Sequence, residues 1–98
     1  MRYTFHKKNI LQLDTDRKGA HKDSAQVVDA FFRAVAMIAA AKDERDLYSS
    51  ESLHYEKLKG KRQTQRSLRL NDQFRLVVQV EEDKEGKYFL VVDIEDYH

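Results

Sequence analysis

The feature that most constrains the fold of this chain is a change in hydrophobic period near Leu53. Before it, apolar residues recur at the i, i+3, i+4 spacing of a helix, and after it they alternate with polar residues as in a strand. The 98 residues leave room for one hydrophobic core. Helices followed by strands predict a single α+β domain over residues 1–98, with N-terminal helices packed on one face of an antiparallel sheet.

The clearest predicted helix begins after a capping residue, Asp23 or Ser24, and runs to about Ala41. Its apolar positions form a single stripe, made by Val27, Val28, Phe31, Phe32, Val35, Ile38 and Ala39. Such a stripe has to be buried against another element. Two less marked elements precede it, a short strand that contains Tyr3 and Phe5 and an amphipathic helix over residues 6–17.

The second half of the chain predicts an antiparallel meander. Residues 66–70 and 74–80 alternate between apolar and polar types on either side of a turn at Asn71 and Asp72. A second polar turn contains Gly86, and a last alternating strand begins at residue 88.

Strand parity predicts opposite faces for basic and apolar side chains, provided that no bulge shifts the register. The apolar face is expected to hold Leu58, Leu68, Leu70, Leu76, Val78, Leu90 and Ile94. The other face is expected to hold Lys57, Lys59, Arg69, Arg75 and Tyr97, together with Val77, Phe89 and Val91.

Charge is unevenly distributed although the formal total is only +1. Residues 52–75 carry seven basic side chains and two acidic ones, whereas residues 76–98 carry two basic and seven acidic ones. These blocks either neutralise one another across the sheet or form a basic groove for a polyanion, and the sequence leaves both interpretations open.

Composition and spacing exclude several kinds of protein and site. The chain has no Cys, and its four His residues lack the spacing of metal ligands, so we predict no metal and no cofactor. The nucleophile motif G-x-S-x-G of the hydrolases is absent. No apolar run is long enough for a membrane span or a signal peptide, so we expect a cytoplasmic protein without membrane association.

The basic strand region suits phosphodiester cleavage of RNA, which requires a base, an acid and cations that stabilise the transition state. The cations can come from Lys59, Arg66, Arg69 and Arg75. Tyr97 and His98 are the candidate proton carriers, and either one can be the acid or the base. A purely structural role, in which these side chains only pair and pack within the fold, is also open.

Three motifs in the last 41 residues resemble one known family. The chain reads LKGKR at 58–62, QRSLRLNDQFRL at 65–76 and VDIEDYH at 92–98. These runs are similar to those of the plasmid maintenance system killer family, the HigB-type toxins of the RelE superfamily. The resemblance implies a RelE-like fold of the microbial-ribonuclease type.

The resemblance also implies an activity and partners. Toxins of this family cut mRNA in the ribosomal A site without a metal and so arrest translation. They are neutralised by a HigA-type helix-turn-helix antitoxin, and they would bind operator DNA only indirectly, through that antitoxin. The implied catalytic residues are Lys59, Arg75, Tyr97 and His98. The residues expected to contact RNA are Lys57, Lys61, Arg62, Arg66 and Arg69.

Two departures from the family pattern keep an alternative open. Glu56 stands where some relatives carry a histidine, with His54 two residues earlier, and Arg66 and Phe74 replace two tryptophans. The alternative is a catalytically weak or inactive homologue that serves as an antitoxin-binding partner or co-repressor.

Overall fold

The structure, a computed structural model, describes residues 1–6 and 25–96 of the chain. Its helices are α1 (Ala25–Ala40) and α2 (Glu44–Tyr48), and its strands are β1 (Tyr3–Phe5), β2 (Glu56–Lys57), β3 (Gln65–Arg69), β4 (Phe74–Asp83) and β5 (Gly86–Asp96). Short 3₁₀ turns at Glu51–Leu53 and Gly60–Arg62 flank β2. Within these ranges no helix is long and apolar enough to cross a bilayer. The helix predicted after His6 and the predicted capping residue lie outside the described residues.

The five strands form one sheet in the order β1-β5-β4-β3-β2. Strands β2 to β5 pair antiparallel, as the alternation and the polar turns predict. At the far edge β1 pairs with β5 in parallel, with Tyr3 opposite Phe89. Sequence alternation identifies a strand but not its partner, so this parallel edge was not predicted.

The core lies between α1 and one face of the sheet, as the helical stripe predicts. The helix contributes Val27, Phe31, Ala34 and Ile38, and the sheet contributes Leu68, Leu76, Val78, Phe89, Val91 and Ile94, all at most 5% exposed. Burying this much apolar surface on one side leaves the opposite face of the sheet to polar and charged side chains. The fold class predicted from the sequence is confirmed.

A β-bulge in β5 changes which of its residues face the core. Val77 pairs with Asp93 whereas Val78 pairs with Val91, so Val92 is the extra residue on its strand. Beyond this point the alternation of β5 is inverted, and Phe89 and Val91 join the core while Leu90 turns away from it. The prediction that Leu90 faces the core and that Phe89 and Val91 share the basic face was therefore wrong.

Candidate functional site

The sheet face opposite α1, here called the open face, carries the candidate site. Residues paired directly across neighbouring strands lie on the same face, so the ladder identifies its members. They are Thr4, Glu56, Gln65, Ser67, Arg69, Arg75, Val77, Gln79, Glu81, Asp83, Gly86, Tyr88, Leu90, Asp93 and Glu95. Val77 is fully buried even though it lies on this face, so the centre of the face is covered rather than bare.

Arg75 is the most extensively held cation on the open face. Its Nε donates to the Ser67 hydroxyl at 2.9 Å, and its Nη2 donates to the backbone carbonyl of His54 at 2.5 Å. The Glu56 carboxylate lies 3.8 Å from the same Nη2. Only 13% of the Arg75 side chain is exposed, compared with 58% for Glu56. The guanidinium is thus fixed in orientation while an accessible carboxylate lies beside it.

Two further arginines extend the positive charge along the open face. Arg69 lies directly opposite Arg75 in the ladder and pairs with Asp72 in the following turn. Arg62, in the second 3₁₀ turn, donates to Glu95 and to Gln65, both at 2.7 Å. Like charges placed opposite one another across a sheet are unfavourable unless an anion lies between them. Asp72 and Glu56 offset part of this charge, and the two adjacent guanidinium groups together suit a phosphate.

Lys59 begins the turn that carries Arg62. Its carbonyl accepts from the Arg62 backbone N–H at 3.3 Å, and the turn continues through Gly60, whose φ of 67° favours glycine. Lys59 is exposed and lines a shallow groove with Lys57, Leu58, Gly60 and Gln63.

The register of β2 corrects the predicted placement of two residues. Lys57 pairs with Arg66 rather than with an open-face residue, so it lies on the other side of the sheet from Arg75. Leu58 follows Lys57, and its N–H donates to the Gln65 carbonyl at 3.1 Å. Leu58 therefore lies on the open face, where Lys57 and Lys59 were predicted. The parity rule failed here because β2 spans only two residues and is offset by one position from the assumed phase. Lys61, in the same turn as Arg62, is exposed.

Arg66 lies on the helix-covered side, opposite Val78, and its surroundings are structural. Its Nε donates to Glu44 of α2 at 2.9 Å, and the same carboxylate oxygen accepts from the Tyr55 hydroxyl at 2.8 Å. The side chain is 13% exposed. Burial alone would lower the pKa of Arg66, but the hydrogen bond and charge of Glu44 outweigh this and raise it. The sequence-based expectation that Arg66 contacts RNA has no support in this placement.

The same cluster fixes the protonation of Tyr55. Burial, followed by the hydrogen bond from its hydroxyl to Glu44, raises the pKa of Tyr55 far above its usual value. Tyr55 therefore remains a neutral donor, and its ring packs edge-on against Tyr48 at 4.7 Å. Glu44, Tyr55 and Arg66 together join α2 to the sheet on the side away from the candidate site.

The predicted proton carriers Tyr97 and His98 lie outside the described residues. The last described residue, Asp96, pairs with Phe74, the neighbour of Arg75 along β4. Asp96 also accepts from the Gln73 side chain at 3.1 Å. The strand that leads to the terminal motif therefore ends at the same end of the sheet as Arg75.

Two side chains at the site were not among the predicted site residues. Ser67 is fully buried beneath Arg75, and Glu56 lies beside it. Parity within β3 could have identified Ser67, because it alternates with Leu68 and shares a face with Arg69. Glu56 was noted only as a departure from the family pattern, since its approach to Arg75 depends on the pairing of β2 with β3.

The charges of the open face suit an anionic ligand. Its three arginines can donate in bidentate geometry. Each lies next to one carboxylate: Arg62 pairs with Glu95, Arg69 with Asp72 and Arg75 with Glu56. Among residues 1–6 and 25–96 no three His, Cys, Asp or Glu side chains cluster as metal ligands would.

Solved structures of bacterial toxins share this fold. A YoeB/ParE toxin from Agrobacterium tumefaciens matches with a TM-score of 0.65 at 14% identity, over all of both chains. A chain of the YoeB-YefM complex from Staphylococcus aureus matches with a TM-score of 0.61 at 20% identity, over 100% of this chain and 97% of that one. The YoeB dimer from the same organism matches with a TM-score of 0.60 at 18% identity, over 100% of this chain and 97% of that one. At these identities the likeness establishes the fold, which is that of the YoeB-like toxins.

A family model identifies the toxin family to which the chain belongs. The model of the RelE-like toxin of the type II toxin-antitoxin system HigB matches residues 3–98. The chain therefore belongs to the HigB-like toxin family, as its three motifs predicted. A search of curated proteins finds no match.

Proposed function

We propose that this toxin is a ribosome-dependent mRNA endonuclease that acts in the cytoplasm, arrests translation and is neutralised by a HigA-type antitoxin. The observation that carries the proposal is the arrangement around Arg75. A fixed guanidinium lies opposite a second arginine and 3.8 Å from an accessible carboxylate. Cations for a phosphate and a proton acceptor are thereby adjacent on one face of the sheet.

The chemistry proposed is transesterification at one phosphodiester. The 2′-hydroxyl loses its proton to the Glu56 carboxylate, and its oxygen forms a bond to phosphorus. The bond from phosphorus to the 5′-oxygen breaks, and that oxygen takes a proton from Tyr97 or His98. The products are a 2′,3′-cyclic phosphate and a 5′-hydroxyl end. Because the nucleophile belongs to the substrate, no metal-activated water is required.

The cations have separate tasks in this scheme. Arg75 stabilises the negative charge that develops on the phosphoryl oxygens, and the exposed Lys59 joins it when RNA is bound. Arg62 and Arg69 contact neighbouring phosphates, and Lys61 is a peripheral contact, whereas Lys57 lies on the other side of the sheet and takes no part. The modest net charge of +1 favours a site presented by the ribosome over strong binding to free RNA.

The alternative of an inactive homologue rested on two departures from the family pattern. On the far side of the sheet Arg66 donates to Glu44, which also accepts from Tyr55, so Arg66 does not alter the open face. Glu56 puts a carboxylate in position to accept a proton. Neither departure favours the inactive form.

The test is to express the chain without its antitoxin together with two reporter messages that differ only in the ribosome-binding site. We expect growth arrest and new 5′ ends within the translated message alone, and those ends should carry 5′-hydroxyl groups. Cleavage of both messages would contradict ribosome dependence, and 5′-phosphate ends would contradict the transesterification. Unchanged growth with no new ends would refute the endonuclease function. Co-expression of a HigA-type protein should restore growth.

A further inference from the structure

Ser67 is a polar residue in an unusual setting. Leaving aside the aromatic Tyr55, it is the one polar residue that is buried among the described residues, with 0% of its surface exposed. It lies in the middle of β3. Its hydroxyl accepts from Arg75 Nε at 2.9 Å. A buried hydroxyl without a partner is unfavourable, and a hydrogen bond to a charged donor is stronger than one between neutral groups. The contact therefore holds both groups in place.

A second contact on Arg75 comes from a strained residue. His54 ends the first 3₁₀ turn with φ 43° and ψ 48°, in the left-handed region that residues other than glycine rarely adopt. In this conformation its carbonyl accepts from Arg75 Nη2 at 2.5 Å. Strain of this kind persists where the surrounding structure requires it, and it clusters at functional sites.

Together the two contacts fix the plane of the Arg75 guanidinium. One acts on Nε from β3 and the other on Nη2 from the turn before β2, so rotation about the last side-chain bonds is blocked. A long flexible arginine would otherwise lose rotamer entropy each time it bound a phosphate. We infer that Ser67 is a positioning residue for Arg75, which it orients toward the scissile phosphate with the help of the His54 carbonyl.

This inference rests on the proposed function, but its first test does not need cleavage. In ¹H–¹⁵N spectra of the full chain, the Arg75 Nε–H signal, assigned by its loss in Arg75→Lys, should exchange slowly with water. Ser67→Ala should accelerate that exchange at least tenfold, whereas the matched Ser52→Ala, at an exposed position, should leave it unchanged. An Arg75 signal that keeps its slow exchange in Ser67→Ala would overturn the inference, whether or not the protein cleaves RNA.

The second test separates positioning from a general effect on folding. Ser67→Ala should slow message cleavage about tenfold, the loss of one hydrogen bond to a charged group, measured below the melting temperature of both proteins. In an Arg75→Ala background the same change should cost less than twofold, because the group that Ser67 positions is gone. Equal losses in both backgrounds would show that Ser67 acts independently of Arg75. If the wild type does not cleave at all, the proposed function fails, and the exchange experiment still decides whether Ser67 holds Arg75.

Discussion

Replacing Glu44 with alanine removes the centre of the polar cluster that joins α2 to the sheet. One oxygen of Glu44 accepts from Arg66 Nε at 2.9 Å and from the Tyr55 hydroxyl at 2.8 Å. After the change, a guanidinium that is 13% exposed and a hydroxyl on a residue that is 7% exposed lose this partner. We therefore expect destabilisation of the fold without a direct effect on the open face.

The magnitude follows from the two lost hydrogen bonds. Removing one partner of a hydrogen bond to a charged group costs about 1.5–3 kcal/mol. Glu44 itself is 22% exposed and water can reach part of the cluster, so we expect about 2 kcal/mol in total rather than the sum of two full bonds. For a domain of this size that lowers the melting temperature by about 8–16 °C.

Thermal melting followed by circular dichroism measures this directly. Arg45→Ala is the matched control on the same helix, since its ion pair with Asp43 is exposed and the Asp43 cap of the helix is retained. Its melting temperature should equal that of the wild type. Glu44→Gln, which keeps one acceptor oxygen, should fall between the two. A Glu44→Ala protein that melts with the control would refute the structural role given to this cluster and to Arg66.

Three further predictions concern protonation and the site. Because the pKa of Tyr55 is raised, the folded protein keeps a proton that the unfolded chain releases, so this contribution to stability is present below about pH 10 and is lost as the pH rises above it. In urea titrations across this range, the free energy of unfolding should decline less steeply with pH in Tyr55→Phe than in the wild type. Parallel curves for the two proteins would contradict the raised pKa. Lys59→Ala and Tyr97→Phe should each relieve toxicity with nearly unchanged melting, and unfolding of either variant would indicate a structural role. Glu56→Gln should lower cleavage about 10²–10⁴-fold; cleavage at the wild-type rate would assign the base elsewhere.

The general architecture could be predicted because each element has its own sequence pattern. The stripe that includes Phe31 and Ile38 required a partner surface, and the alternation around Leu68 and Leu76 supplied one. The extra residue in β5 could not be predicted, because a bulge leaves no mark in a run of apolar residues such as 89–92. The parallel edge strand was missed for a related reason, since pairing is decided in three dimensions.

The candidate site was predicted only where parity was unbroken. Arg69 and Arg75 lie on one face as expected, because β3 and β4 pair without a shift between them. Arg66 lies two residues before Leu68 and therefore shares its face, so parity alone indicated the covered side for Arg66, although a contact with RNA was predicted for it. Glu56 joins the site through a strand of two residues, which is too short for any period to reveal.

The measurement that tests the account most directly is the rate of message cleavage by Arg75→Ala in a reconstituted translation system. Both this variant and Arg45→Ala, an exposed arginine away from the open face, would be assayed below their melting temperatures with folding verified by circular dichroism. If Arg75 stabilises the transition state, its loss should slow cleavage about 10²–10³-fold while Arg45→Ala cleaves as fast as the wild type. Equal rates for all three proteins would contradict the assignment of RNA cleavage to the open face.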